Sequence, residues 1–155
     1  MNVRQSYREA AVRGASPIEL VVRLYEQMIE DLRQVAIAIE RNDIERRGNQ
    51  VKHAILVLGH LQSALDFDRG GKVARDLETF YNSLRGRLMH VQFHPSKRGA
   101  AQLITDLLAV RQAWMQVERA EDSSAASAAA RKAAPVASFA TPDGESDHVR
   151  VDWQG

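Results

Sequence analysis

His90 and His94 stand four residues apart, a spacing that puts two imidazoles on one face of a helix, where they could share a metal ion. No third ligand accompanies them, and Pro95 disfavours a helical backbone at His94. They read as solvated histidines near a helix C-terminus, where the helix dipole favours a cation. Glu145 and His148 have the Glu-x-x-His spacing of di-iron bundles, but they lie in a tail with nothing to hold their geometry. Gly70-Gly71 lacks the preceding strand and the following Lys-Ser/Thr of a phosphate loop, and no His-Glu-x-x-His pair occurs. With no cysteine, the chain has neither a thiolate metal site nor a disulfide framework. The expectation is a protein that is not an enzyme and needs no cofactor or metal.

One further histidine has a context. Gly59-His60-Leu61-Gln62-Ser63-Ala64 resembles the phosphorylated segment of histidine phosphotransfer domains, which are also four-helix bundles. Those carry a Lys and a Gly shortly after the histidine, and here the places hold Gln62 and Ser63. A phosphoryl group brings about −2 charge and needs a nearby cation. A phosphotransfer or signalling bundle using His60 therefore stands as the alternative reading.

The elements that must carry any site are helices. Ile18, Val21, Tyr25, Met28, Leu32, Val35 and Ile39 step by three and four, with Val22, Leu24, Ile29 and Ala36 broadening the stripe. Val51, Ala54, Leu58, Leu61 and Leu65 form a second set, with Ile55 and Val57 beside it. Val73, Leu77, Phe80, Leu84, Leu88 and Val91 form a third, and Ala100, Leu103, Leu107, Val110, Trp114 and Val117 a fourth. Steps of three and four place each set on one helical face and do not fit a strand. Ser16 with Glu19 is a capping box, and Pro17 suits the first helical position. The breaks fall at Arg41-Asn42-Asp43, at Asp66 to Gly71 and at His94-Pro95-Ser96, with Asp43 and Ser96 as N-caps and Gly70 or Gly71 as a helix terminator. Short connections make neighbours antiparallel, so the fold class is all-α, an up-down four-helix bundle.

The expected organisation is an N-terminal arm over residues 1–15, the bundle over 16–119, and a low-complexity tail over 120–155. The tail is rich in Ala and Ser and is read as mostly disordered; Val149 to Trp153 alternates apolar and charged residues and reads first as an exposed tail end, with a short strand-like docking segment as the alternative. Residues 1–119 carry 18 Lys+Arg against 14 Asp+Glu and the tail 3 against 6, within a net charge of +1. That near-neutral total argues against nucleic acid as the partner, and a basic body with an acidic tail fits a monomer or weak homodimer. The chain has no apolar run of membrane-spanning length, and its start has no apolar signal region, which points to the cytosol without membrane insertion.

Several short motifs, in order, resemble the flagellin export chaperone family, FliS. They are Tyr7, Ala15-Ser16-Pro17, Leu24-Tyr25, Ser63-Ala64-Leu65-Asp66 with Gly70-Gly71, Leu77 with Phe80-Tyr81, and Leu108 with Arg111-Gln112-Ala113-Trp114. The resemblance implies a helical bundle that binds the C-terminal segment of new flagellin in the cytoplasm. It would hold that segment unable to polymerise and bring it to a component of the export gate. It further implies that the segment folds as it wraps the bundle, and that the arm occupies part of the same surface when it is free. Ala64 and Phe67 depart from the family pattern.

Such recognition needs apolar surface left over after the bundle closes. The first helix has a stripe wider than one seam requires, and the second presents Ile55 and Val57 off its seam. The expected flagellin contacts are Tyr7 and Val12 in the arm, Ile55, Leu58, Gln62 and Leu65 on the second helix, and Tyr81 on the third. Tyr25, Tyr81 and Trp114 also read as core aromatics whose polar atoms reach the rim.

Overall fold

The computed structural model describes residue 14 and residues 16–151, with side chains described as far as residue 124. It has four helices, which we label α1 (Pro17–Glu40), α2 (Ile44–Ser63), α3 (Phe67–Phe93) and α4 (Lys97–Val151). The arm residues Tyr7 and Val12 lie outside the described residues.

Local chemistry sets the helix ends. The Ser16 hydroxyl accepts from the Glu19 amide at 3.0 Å, with Pro17 as the first helical residue. At the far end of α1, Asn42 takes a left-handed φ of 55°, a conformation that Asn tolerates better than most residues. There the Asp43 amide returns to the Ala38 carbonyl at 2.8 Å and the Asn42 amide to Ile39 at 3.2 Å, the paired bonds of a Schellman stop. Asp43 at once caps α2 through the Arg46 amide at 3.0 Å. Ser96 caps α4 through the Gly99 amide at the same distance.

The break between α2 and α3 is shorter than the sequence suggests. Asp66 is itself an N-cap, accepting from the amides of Asp68 and Arg69, so Phe67 to Gly70 form a helical turn rather than a loop. Gly71 then departs from helical geometry with φ 51° and ψ −121°. That region is open to glycine and strained for other residues, so the chain kinks there without stopping. The kink also changes which residues face inward: Val73 is exposed and Ala74 is buried.

Within the first compact unit, Met1–Gln116, contacts between helices fix an antiparallel ring. Asp31 meets His53 between α1 and α2, Arg47 meets Gln92 between α2 and α3, and Arg87 meets Asp106 between α3 and α4. Arg111 pairs with Glu26 at 3.1 Å and Lys97 with Glu40 at 3.4 Å, which closes α4 back onto α1. The core contains Tyr25, Met28, Leu32 and Val35 from α1, Val51, Ala54, Val57, Leu58 and Leu61 from α2, Tyr81, Leu84 and Leu88 from α3, and Leu103 and Leu107 from α4. The stripes run close to the expected ones, with local corrections. Leu20 and Ala38 are buried, whereas Ile18, Val21 and Ile39 are half-buried, because α1 faces two neighbours and buries a wide sector. Val57 is wholly buried, and Leu56 faces outward in its place.

The second unit, Val117–Gly155, is helical as far as Val151. The Ala-rich run from Ala125 to Ala134 has the highest intrinsic helix propensity, which accounts for a regular backbone without an apolar face. Val149 to Val151 are helical rather than extended; so short an alternation finds no partner strand among the described residues. Residues 152–155 lie outside them.

Candidate functional site

Gly48 on α2 lacks the side chain that would fill the space toward α3. A groove of about 440 Å³ opens there. Its walls are mainly apolar: Ile44, Val51 and Ile55 from α2, and Met89 from α3. Glu45, Asn49 and Lys52 supply polar edges, and Gln92 crosses from α3. A methyl group on Gly48 would come within 3.4 Å of the Gln92 amide nitrogen, so the glycine lets that amide lie close against α2. Val51 is buried, Ile55 is half-buried, and Ile44 and Met89 are 68% and 41% exposed. Phe93, one turn beyond Met89, is 69% exposed. Large apolar side chains in this state are available for burial by an amphipathic segment.

The structure sorts the expected contact residues. It brings Ile55 together with Ile44 and Met89. Gln62 lies farther along the same α2–α3 seam, where its amide donates to Asn82 at 3.0 Å and its carbonyl accepts from Arg85. Leu65 is half-buried at the end of α2 and packs against the core. Leu58 and Tyr81 are corrections: at 0% and 1% exposure they are core residues. Leu58 lies on the seam that meets the other helices. Tyr81 turns inward to a hydroxyl–hydroxyl bond with Tyr25 of 2.8 Å. Sequence reasoning missed Ile44, Met89, Phe93 and Gln92. Only position marks them, since Ile44 directly follows a helix cap and Phe93 directly precedes a break.

Electrostatics at the bundle centre are distinctive. Burial pushes the Tyr25 hydroxyl above its ordinary pKa, partly offset by hydrogen bonds with Tyr81 and Trp114. Burial raises Tyr81 further, and Tyr25 adds to the effect. Asp31, 3% exposed, is the buried charged residue of the described core. Desolvation raises its pKa, opposed by His53, whose Nδ1 lies 2.7 Å from its carboxylate, and by the Gln27 amide at 3.1 Å. These groups tie α1 to α2 and α3. The rings of His90 and His94 lie 4.8 Å apart near the end of α3.

The family model for the flagellar protein FliS matches residues 1–121. The chain belongs to the FliS family. It is 32% identical to the flagellar secretion chaperone FliSB of Pseudomonas aeruginosa over 68% of this chain and 84% of that relative. It is 26% identical to the flagellar secretion chaperone FliS of Salmonella typhimurium, covering 70% and 82% respectively. Against the flagellar secretion chaperone FliS of Bacillus subtilis it is 25% identical, over 77% and 89%.

The FliS match ends at residue 121, within α4 and shortly after Trp114, which packs against the core. Membership of a chaperone family leaves the phosphotransfer alternative at His60 without support. Gln62, at the place of the phosphate-binding lysine, is engaged in amide bonds across the α2–α3 seam. No helix among the described residues is long and apolar enough to cross a membrane.

Proposed function

We propose that this FliS-family chain is a cytoplasmic export chaperone that holds the C-terminal segment of flagellin, keeps it from polymerising early and assists its delivery to the flagellar export gate. The observation that carries the proposal is the groove between α2 and α3, where Ile44 and Met89 stand exposed beside Ile55 on a closed bundle. An amphipathic helix laid along it would bury apolar side chains, each worth roughly 1.5–3 kcal/mol when fully buried. A segment that is unfolded alone loses about 2–5 kcal/mol in ordering itself, so a few anchors suffice and the complex stays reversible. In the free protein the arm, through Tyr7 and Val12, covers part of the groove until the client displaces it. Gln62 on α2 and Leu65, two residues beyond its end, extend the contact. The protein acts as a monomer or weak homodimer, with no nucleic acid and no membrane insertion.

Co-purification with flagellin from the same organism tests this directly. Full-length flagellin should be retained and flagellin lacking its C-terminal segment should not. Retention of the truncated flagellin would overturn the proposal.

A further inference from the structure

The half-buried arginines of the bundle are matched differently on different seams. Arg87 on α3 meets Asp106 on α4 at 2.7 Å, and Arg111 on α4 meets Glu26 on α1 at 3.1 Å, each a cation beside its counter-charge. On the α2–α3 seam the partners are neutral. Arg47 donates to the backbone carbonyl of Gln92, and Nη2 of Arg85 donates to the side-chain carbonyl of Gln62. The ion pairs of the described residues include neither arginine. A half-buried cation loses hydration, and a neutral carbonyl offsets less of that loss than a carboxylate does.

Arg85 is the one that stands in line with the groove. Arg85, Met89 and Gln92 follow at i, i+4 and i+7 on one face of α3, and the last two are groove walls. On α2, Gly48, Ile55 and Gln62 recur every seven residues, and the first two line the groove. Between Ile55 and Gln62 stands Gly59, which has no side chain to close the seam and open space where one would begin. The groove therefore continues past Gly59 to a polar end, where Gln62 bonds to both Asn82 and Arg85. Glu45 and Lys52 at the groove's rim balance each other in charge, and nothing balances Arg85.

We propose that Arg85 is a specificity-determining residue that pairs with an Asp or Glu side chain of the seated segment, about one helical turn from the apolar residue that packs on Met89. The inference rests on the reading of the groove as the flagellin site. The guanidinium offers five N–H donors in a planar fork that matches the two oxygens of a carboxylate. Gln62 takes one donor and holds the fork in place, which leaves the others for the client. A client amide would bring no charge, and a client cation would be repelled. Ile44, Ile55 and Met89 accept any apolar side chain of fitting size, so an apolar helix could slip by a turn at little cost. One ion pair made in a single register removes that freedom.

The test uses the full chain and a synthetic peptide of the flagellin C-terminal segment, followed by titration calorimetry. Arg85→Gln should weaken binding about tenfold, about 1.4 kcal/mol, and Arg85→Lys, which restores the charge without the fork, should recover part of the loss. At one Asp or Glu of the peptide, replacement by Asn or Gln should cost a similar factor against the natural chain and little against Arg85→Gln, the signature of direct coupling. The melting temperature of free Arg85→Gln should move by only a few degrees, since no ion pair of the free protein is lost. A lowered melting temperature with unchanged affinity would make Arg85 a structural residue and overturn the inference. Coupling at no acidic side chain, or a loss reproduced instead by amidating the peptide's terminal carboxylate, would also overturn it while leaving flagellin binding intact. A natural chain that fails to bind the peptide would overturn both readings together.

Discussion

The hydroxyls of Tyr25 and Tyr81 meet at 2.8 Å in the centre of the bundle, joining α1 to α3 across its diagonal. Tyr81→Phe keeps the ring and leaves the Tyr25 hydroxyl short of a partner. The expected cost is about 1–3 kcal/mol, read from the urea midpoint. The double Phe variant should cost less than the two single changes added together. The raised pKa of both hydroxyls has a sign: the neutral forms are favoured in the fold, so their stability is complete below the unfolded value of about 10 and is lost as pH climbs toward the folded values. Alkaline unfolding of the natural chain should therefore be delayed in the double Phe variant.

Ile55 and Leu58 are three residues apart on α2 and should respond in opposite ways. Ile55→Asp places a charge at the groove, and flagellin affinity should fall at least about tenfold while the melting temperature moves by only a few degrees. Leu58→Asp buries the charge where exposure is 0% and should abolish folding, as circular dichroism would show. Equal thermal loss in both variants would make Ile55 a core residue.

Asp31 is buried beside His53, and its pKa is raised by desolvation. An acid with a raised folded pKa contributes most below its unfolded value, about 4, and loses that contribution as pH climbs through the folded value. Asp31→Asn keeps the shape and an acceptor for His53. The stability of the natural chain relative to this variant should therefore decline from about pH 4 upward. Chemical denaturation across a pH series would show it, and a flat difference would mean that His53 and Gln27 fully compensate the burial.

Gly71 and Gly59 separate two effects of a methyl group. At Gly71 the backbone is left-handed, and Gly71→Ala should destabilise the protein by roughly 1–3 kcal/mol. At Gly59, inside α2 with nothing within 4 Å of an added methyl, Gly59→Ala should stabilise by about 0.5–1 kcal/mol. Thermal melts of the two variants should shift in opposite directions.

The family match ends at residue 121, and Trp114 is the last aromatic packed against the core among the residues whose side chains are described. A chain cut after Glu121 should keep its cooperative melt and its flagellin affinity. A loss of about tenfold or more in affinity, about 1.4 kcal/mol, would assign the tail a part in binding.

How much of this was legible follows the range of the interactions involved. Ser16, Asp43 and Ser96 act on amides three residues away, so helix starts could be read directly. Asp66 acts in the same way, but the glycine pair after it suggests a loop, and only the backbone shows Gly71 as a kink inside a helix. The stripes were readable to within one residue. Which of Leu56 and Val57 turns inward depends on where α2 sits between its neighbours, and periodicity alone does not supply that. The groove was legible at Ile55 alone. Ile44 and Met89 become neighbours only when α2 and α3 pack antiparallel, and the opening between them depends on a glycine that carries no chemical signal of its own.

Each connection in the bundle spans three residues, so most helix contacts form between consecutive elements. Contacts that reach across the sequence include the bonds of Tyr25 with Tyr81 and Trp114, and the α4–α1 pairs of Arg111 with Glu26, 85 residues apart, and Lys97 with Glu40. A topology of this kind has low contact order and little loop-closure entropy to overcome, which favours assembly within milliseconds. α1 to α3 can form as a growing hairpin series while the chain is still being made, and the arrival of α4 completes the ring. The ion pairs that tie α4 to α1 are partly exposed, so that contact weakens as ionic strength rises, while Leu103 and Leu107 hold α4 by apolar burial.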